Sequence, residues 1–108
     1  MTGELPHGAF RNDLSATYNL HTIPRELRRP SLLPPETWGL VVVSQGAITL
    51  FAGTAPPRSV GAGAEAVIPP QVPFHLADNG QPVLFHIEYF HEPRVMDAQG
   101  LAAQLGSR

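Results

Sequence analysis

His75, His86 and Glu88 are the residues in this chain whose types and spacing could do chemistry. His86 and Glu88 stand two apart in PVLFHIEYF, so on a strand they share a face and could offer a nitrogen and an oxygen to a divalent ion. His75 ends IPPQVPFH, just before Asp78-Asn79-Gly80. It could ligate a metal through one ring nitrogen, or act as an orienting donor in a ligand pocket. Together the three would form a two-histidine, one-carboxylate set, the minimum for an open catalytic centre on zinc, nickel or iron.

The bland alternatives weigh against that set. A lone histidine beside a turn is more often hydrogen-bonded structure than a ligand. Along Pro82 to Phe90, alternation puts Val83, Phe85, Ile87 and Tyr89 on one wholly apolar face and Leu84, His86, Glu88 and Phe90 on the other. If the apolar stripe is core, His86 and Glu88 look outward. The expectation is therefore weak metal binding or none, with His75 in an apolar pocket walled by Trp38, Phe51 and Phe85. His7, His21 and His91 have no partner spacing and read as surface. Arg25, Arg28 and Arg29 fall close together on one helical turn, and a solvated turn stopped by Pro30 is a better reading than an anion site.

Composition excludes several function classes. The 108 residues suffice for one core, and 43% hydrophobic against 15% charged residues is too apolar for a disordered chain. With no cysteine there is no disulfide, zinc-thiolate or thiol chemistry. A net charge of -2 offers no broad basic surface, which argues against nucleic acid. No basic-then-apolar leader and no long apolar run are visible, so the expectation is a cytoplasmic protein with no membrane partner. No nucleophile elbow or phosphate loop occurs, since GAGAE at Gly61 to Glu65 lacks the lysine and the following helix.

The elements that must position these residues are short. Twelve prolines and ten glycines favour many turns over long helices. Residues 1–16 read as an extended arm and Thr17 to Ile23 as a short strand. Trp38 to Ser44 and Ala47 to Ala52 read as a hairpin about Gln45-Gly46, and Gly53 to Gly63 as a surface loop. Ala64 to Ile68 reads as a strand, and a second hairpin turns at Asp78-Asn79-Gly80. Val42, Leu50, Phe85 and Ile87 are the expected core. Residues 93–108 have the Ala/Leu/Gln content of a short helix. This pattern predicts an all-β fold, a sandwich or barrel of antiparallel strands over residues 17–92.

Gly63 to Asn79, with PQVPFH and Asn79 four residues after His75, resembles the second cupin motif, although Val72 stands where that motif usually has glycine. Pro24, then Thr37-Trp38-Gly39 running into Gly46, then IPPQVPFH and FHIEYF, resemble in order the TehB/YeaR-like cupin family. That family includes the N-terminal domain of a tellurite-resistance methyltransferase. The resemblance implies a small single-domain cupin, an antiparallel jelly-roll barrel that is often a homodimer, with metal bound in some members. Metal-binding members carry a histidine shortly before the TWG element, where this chain has Ser31, and the first cupin motif of two histidines and a glutamate is absent. The methyltransferase portion has no counterpart in these residues.

Three functions stay open. The leading one is a non-enzymatic cupin that binds a small-molecule ligand, as a sensor or accessory in oxyanion or nitrosative stress by analogy with the family. A metal-dependent enzyme using His75, His86 and Glu88 comes second. A structural dimerisation module comes third. The homodimer is expected through an edge strand and the N-terminal arm.

Overall fold

The computed structural model describes residues 5–92. Two antiparallel sheets face one another across an apolar interior. The larger is built from β1 (Phe10–Leu14), β2 (Tyr18–Asn19), β3 (Thr37–Gln45), β6 (Glu65–Ile68) and β8 (Leu84–His91), in the order β1-β8-β3-β6 with β2 also on β8. The smaller has β5 (Arg58–Gly61), β4 (Ala47–Ala52) and β7 (Phe74–Ala77), in that order. A 3-10 turn at Arg25–Arg28 is the one helical piece among the described residues. The predicted C-terminal helix lies outside them. The strand ladders do not join the two sheets into a closed barrel.

The long strands form where β-branched and aromatic residues are densest. On β8 the expected alternation holds: Val83 just before it and Phe85 and Ile87 within it are buried, while His86 and Glu88 turn to the other face. On β3 the phase differs from expectation. Val41 and Val43 are buried and Val42 is only half-buried, because Val41 and Val43 pair with Ile87 and Phe85 while Val42 pairs with His86. A run of three valines carries no phase of its own, so the ladder to β8 sets it. Ile48 and Leu50 of β4, Phe74 and Leu76 of β7, and Ala66 and Ile68 of β6 complete the interior, with no buried polar or charged residue among those described.

Neither predicted hairpin is one. β3 and β4 meet at Gln45-Gly46, yet they belong to different sheets, and the same is true of β7 and β8 either side of Asp78-Asn79-Gly80. Both turns are corners that carry the chain across the interior, so that each strand finds partners far away in sequence. Two further strands lie where the sequence predicted none. Within the expected arm, Phe10–Leu14 pairs with β8 across a bulge between Arg11 and Asp13. Within the expected loop, Arg58–Gly61 pairs with β4 and buries Val60.

Gly46 shows how tight the first corner is. Its φ is +75°, and a Cβ there would stand 2.1 Å from the carbonyl oxygen of Pro82. Gly46→Ala therefore meets both a left-handed backbone and a backbone collision, with an expected loss of at least about 2 kcal/mol. A urea unfolding midpoint unchanged in Gly46→Ala would contradict this corner.

Candidate functional site

The four residues expected to wall one pocket occupy three separate environments. Phe85 is interior, its ring 5.6 Å from that of Tyr18. Trp38 lies on the outer face of the larger sheet, where its indole N–H donates to Glu92 Oε2 at 2.7 Å. Phe51 and His75 come together on the outer face of the smaller sheet. Alternation requires this: Leu50, Phe74 and Leu76 are buried, so their strand neighbours Phe51 and His75 point the opposite way.

Phe51 and His75 are direct cross-strand partners in the β4–β7 ladder. Their rings stack with centroids 4.4 Å apart and planes within 4°. Such a pair contributes about 0.5–1.5 kcal/mol beyond its buried area. Among the described residues no hydrogen-bond or ion-pair partner reaches the imidazole nitrogens. Pro30, Gly53, Ala55 and Pro73 close a pocket of about 230 Å³ around the stack.

Gly53, Ala55 and Pro73 also line an adjoining apolar groove of about 600 Å³ that continues past Val72 and Gln71 to Val67 and Pro69. Two constrained backbone positions shape it. Gly53 (φ 57°) donates its N–H to Pro73 O at 2.8 Å, and a Cβ on it would press Val72 Cγ1 at 3.1 Å. Gln71, also left-handed at φ 57°, is tied by its N–H to Leu33 O at 3.1 Å. A non-glycine residue held there is strained by about 1 kcal/mol or more, a cost found more often at ligand-facing loops than elsewhere. Val72, the departure from the cupin motif, is thus a wall of the groove. Nothing in PPQV signals the left-handed Gln71 from sequence.

His86 and Glu88 do pair, Nε2 to Oε2 at 2.9 Å, with Arg11 3.7 Å from the other carboxylate oxygen. They lie on the outer face of the larger sheet, and His75 on the outer face of the smaller, so the filled interior separates them. The described residues contain no group of three His, Asp or Glu side chains that could hold an ion. Ser31 spends its hydroxyl on Glu26 O at 2.7 Å and its backbone on Phe74. Of the three arginines, Arg28 has a partner the sequence did not suggest: it donates to Asp78 at 2.7 Å and to Leu20 O at 3.2 Å, pinning the 3-10 turn to the β7–β8 corner. A separate cleft of about 250 Å³ near His21, Gln45 and Pro82 offers less, since the Asn19 amide oxygen on its rim is already taken by the backbone N–H of His21.

The comparisons with known proteins bear on the fold. A protein from Escherichia coli K12, solved by a structural genomics consortium, superposes with a TM-score of 0.77 at 19% identity, covering 84% of this chain and 98% of its own. TehB from Haemophilus influenzae superposes with a TM-score of 0.75 at 10% identity. That match covers 92% of this chain but only 41% of TehB. No family model and no curated protein matches the sequence. The chain is similar in fold to these two structures, and that similarity reaches the architecture alone.

Two predictions follow from this geometry. The Arg28 hydrogen bond, helped by the Gly80 N–H at 2.7 Å, holds the Asp78 carboxyl below its ordinary range. A depressed carboxylate contributes stability above its unfolded pKa and loses it as pH falls through the folded value. The stability gap between wild type and Asp78→Asn should therefore be constant above about pH 5 and shrink below about pH 4, never exceeding about 1 kcal/mol for so exposed a pair. Denaturant melts across that range check it. Separately, chelator-treated protein titrated with zinc, nickel or iron(II) should give no one-to-one isotherm that depends on His75, because its distance from His86 and Glu88 leaves a single imidazole competing with water.

Proposed function

We propose that this chain is a non-enzymatic small-ligand-binding domain of the cupin jelly-roll type, and that its site is the Phe51–His75 stack with the apolar groove beside it. The observation that carries the reading is the imidazole of His75, half-buried, stacked on Phe51 and without a hydrogen-bond partner among the described residues, in a pocket of about 230 Å³ that shares Gly53, Ala55 and Pro73 with the larger groove. A pocket whose one polar side chain is His75, beside a mostly apolar groove to which Thr54 and Gln71 add, suits a small amphipathic molecule with its hydrogen-bonding end at His75 and its apolar body along Pro69, Val72 and Pro73. Among the described residues no carboxylate, serine or second histidine lines the pocket with His75, which favours binding over turnover.

The cupin reading draws on the sequence resemblance to the TehB/YeaR-like family and on the fold similarity to TehB. By that analogy the binding serves an accessory role in oxyanion or nitrosative stress.

A fragment screen followed by 1H–15N NMR tests the site. Binders should shift the amides of Phe51, Val72 and His75 together, and His75→Ala should weaken the best of them about tenfold, the worth of one hydrogen bond in a half-buried site. Fragments that perturb only the His21 cleft, or that bind His75→Ala equally well, would refute it.

A further inference from the structure

The ladder registers turn one backbone N–H and C=O away from the larger sheet and toward the apolar groove. Successive residues of a strand in a ladder present these groups to alternate sides. The β3–β8 register runs unbroken from Thr37 to Val43, so a single alternation holds along that stretch. Its even-numbered residues turn to β8, since Glu36 O just before it accepts the Glu92 N–H. Its odd-numbered residues turn to β6, since Val43 donates to Ala64 O and accepts the Gly63 N–H. Gly39 and Val41 therefore bond their register partners Ile68 and Ala66, and the backbones of Glu65 and Val67 point off the sheet. β6 is the last strand on that side.

The two outward-turned residues meet different surroundings. Glu65 O receives Arg58 Nη2 at 3.5 Å. Val67, half-buried, lines the groove of about 600 Å³, whose other walls are residues 52–55, 69 and 71–73. None of those belongs to β3 or β8, so the groove lies off the free edge of β6. The open stretch is short, because Pro69 has no N–H to offer beyond it.

We infer that the groove takes a short, uncharged stretch of peptide, one residue of which pairs through its backbone with Val67. The inference rests on reading the groove as a ligand site and names the ligand class. Recognition by strand addition needs main-chain groups along an open edge and a recess for side chains beside it, and the two occur together here. Val67 donates its N–H to a ligand carbonyl and accepts a ligand N–H at its C=O, while apolar ligand side chains lie on Pro69, Val72 and Pro73. The Thr54 hydroxyl and the Gln71 amide, on the same wall, make no hydrogen bond among the described residues and can serve further amides of the ligand. No charged side chain lines the groove, so a charged terminus or side chain would lose water there without gaining a partner.

The experiment uses the full chain, 15N-labelled, with N-acetyl-Val-Val-N-methylamide as the probe. Before peptide is added, the Val67 amide should exchange with solvent deuterium on the order of tenfold faster than those of Ala66 and Ile68. Peptide should shift the Val67 and Val72 amides together and slow that exchange. Its depsipeptide analogue, with ester oxygens in place of the N–H groups, should bind about tenfold more weakly, having lost the donor and kept the shape. Val67→Pro should show a similar loss, since it removes an N–H that the β3–β6 ladder does not use. If that variant does not fold, the depsipeptide comparison decides by itself. Equal binding of peptide and depsipeptide overturns the inference. So does a Val67 amide as protected as its neighbours before any peptide is present, which would mean that a segment of the chain outside residues 5–92 already pairs with it. If apolar fragments shift Phe51, Val72 and His75 while the peptide leaves Val67 unmoved, this inference falls and the ligand site stands. If neither probe moves any of these amides, both fall.

Discussion

The ladder between β3 and β8 is the constraint on which the rest depends. It sets Val41 against Ile87 and Val43 against Phe85 on the inner face, and by the same pleat Leu40 against Glu88 and Val42 against His86 on the outer one. Because side chains alternate strictly, one register decides the core and the outward turn of the His86–Glu88 pair together. A slip of one residue would exchange those two populations. The two inward pairs, all four residues buried, make such a slip prohibitive, and β6, β1 and β2 are then placed by pairing with the two strands already fixed.

The smaller sheet inherits its position from the corners. Gly46 and the Asp78-Asn79-Gly80 turn carry β4 and β7 across the interior, and only there does the β4–β7 register bring Phe51 opposite His75. Chemistry is thereby kept off the interior, which among the described residues is wholly apolar.

How much of this was legible in the sequence follows from the range of the interactions concerned. The alternation on β8 is local, so the burial of Phe85 and Ile87 and the outward turn of His86 and Glu88 could be read directly. The valine run of β3 is locally ambiguous, and Val42 was misplaced for that reason. Gln45-Gly46 and Asp78-Asn79-Gly80 announce that the chain reverses, but turn chemistry does not say whether the next strand joins the same sheet or the opposite one. Arg58–Gly61 offers one apolar residue and Phe10–Leu14 is wholly exposed, so neither carries a strand signal of its own. The Phe51–His75 stack and the Arg28–Asp78 pair, the latter 50 residues apart in sequence, exist only through tertiary pairing, and no local pattern encodes them.

The pairing of the first strand with the last has a consequence for the order of assembly. Phe10 stands opposite His91, so one edge of the larger sheet is closed by segments from nearly the two ends of the described chain. On the ribosome β1 has no template until β8 has emerged, and β3 likewise waits for one of its two neighbours. Contacts of such long sequence separation are slow to form. Until then the apolar strand Trp38–Val43 has an open edge and two uncovered faces, the state in which β-rich chains are most prone to wrong partners. The bulge between Arg11 and Asp13, and the charges that flank it, leave the finished edge at β1 poorly suited to further strand addition once that interval is past.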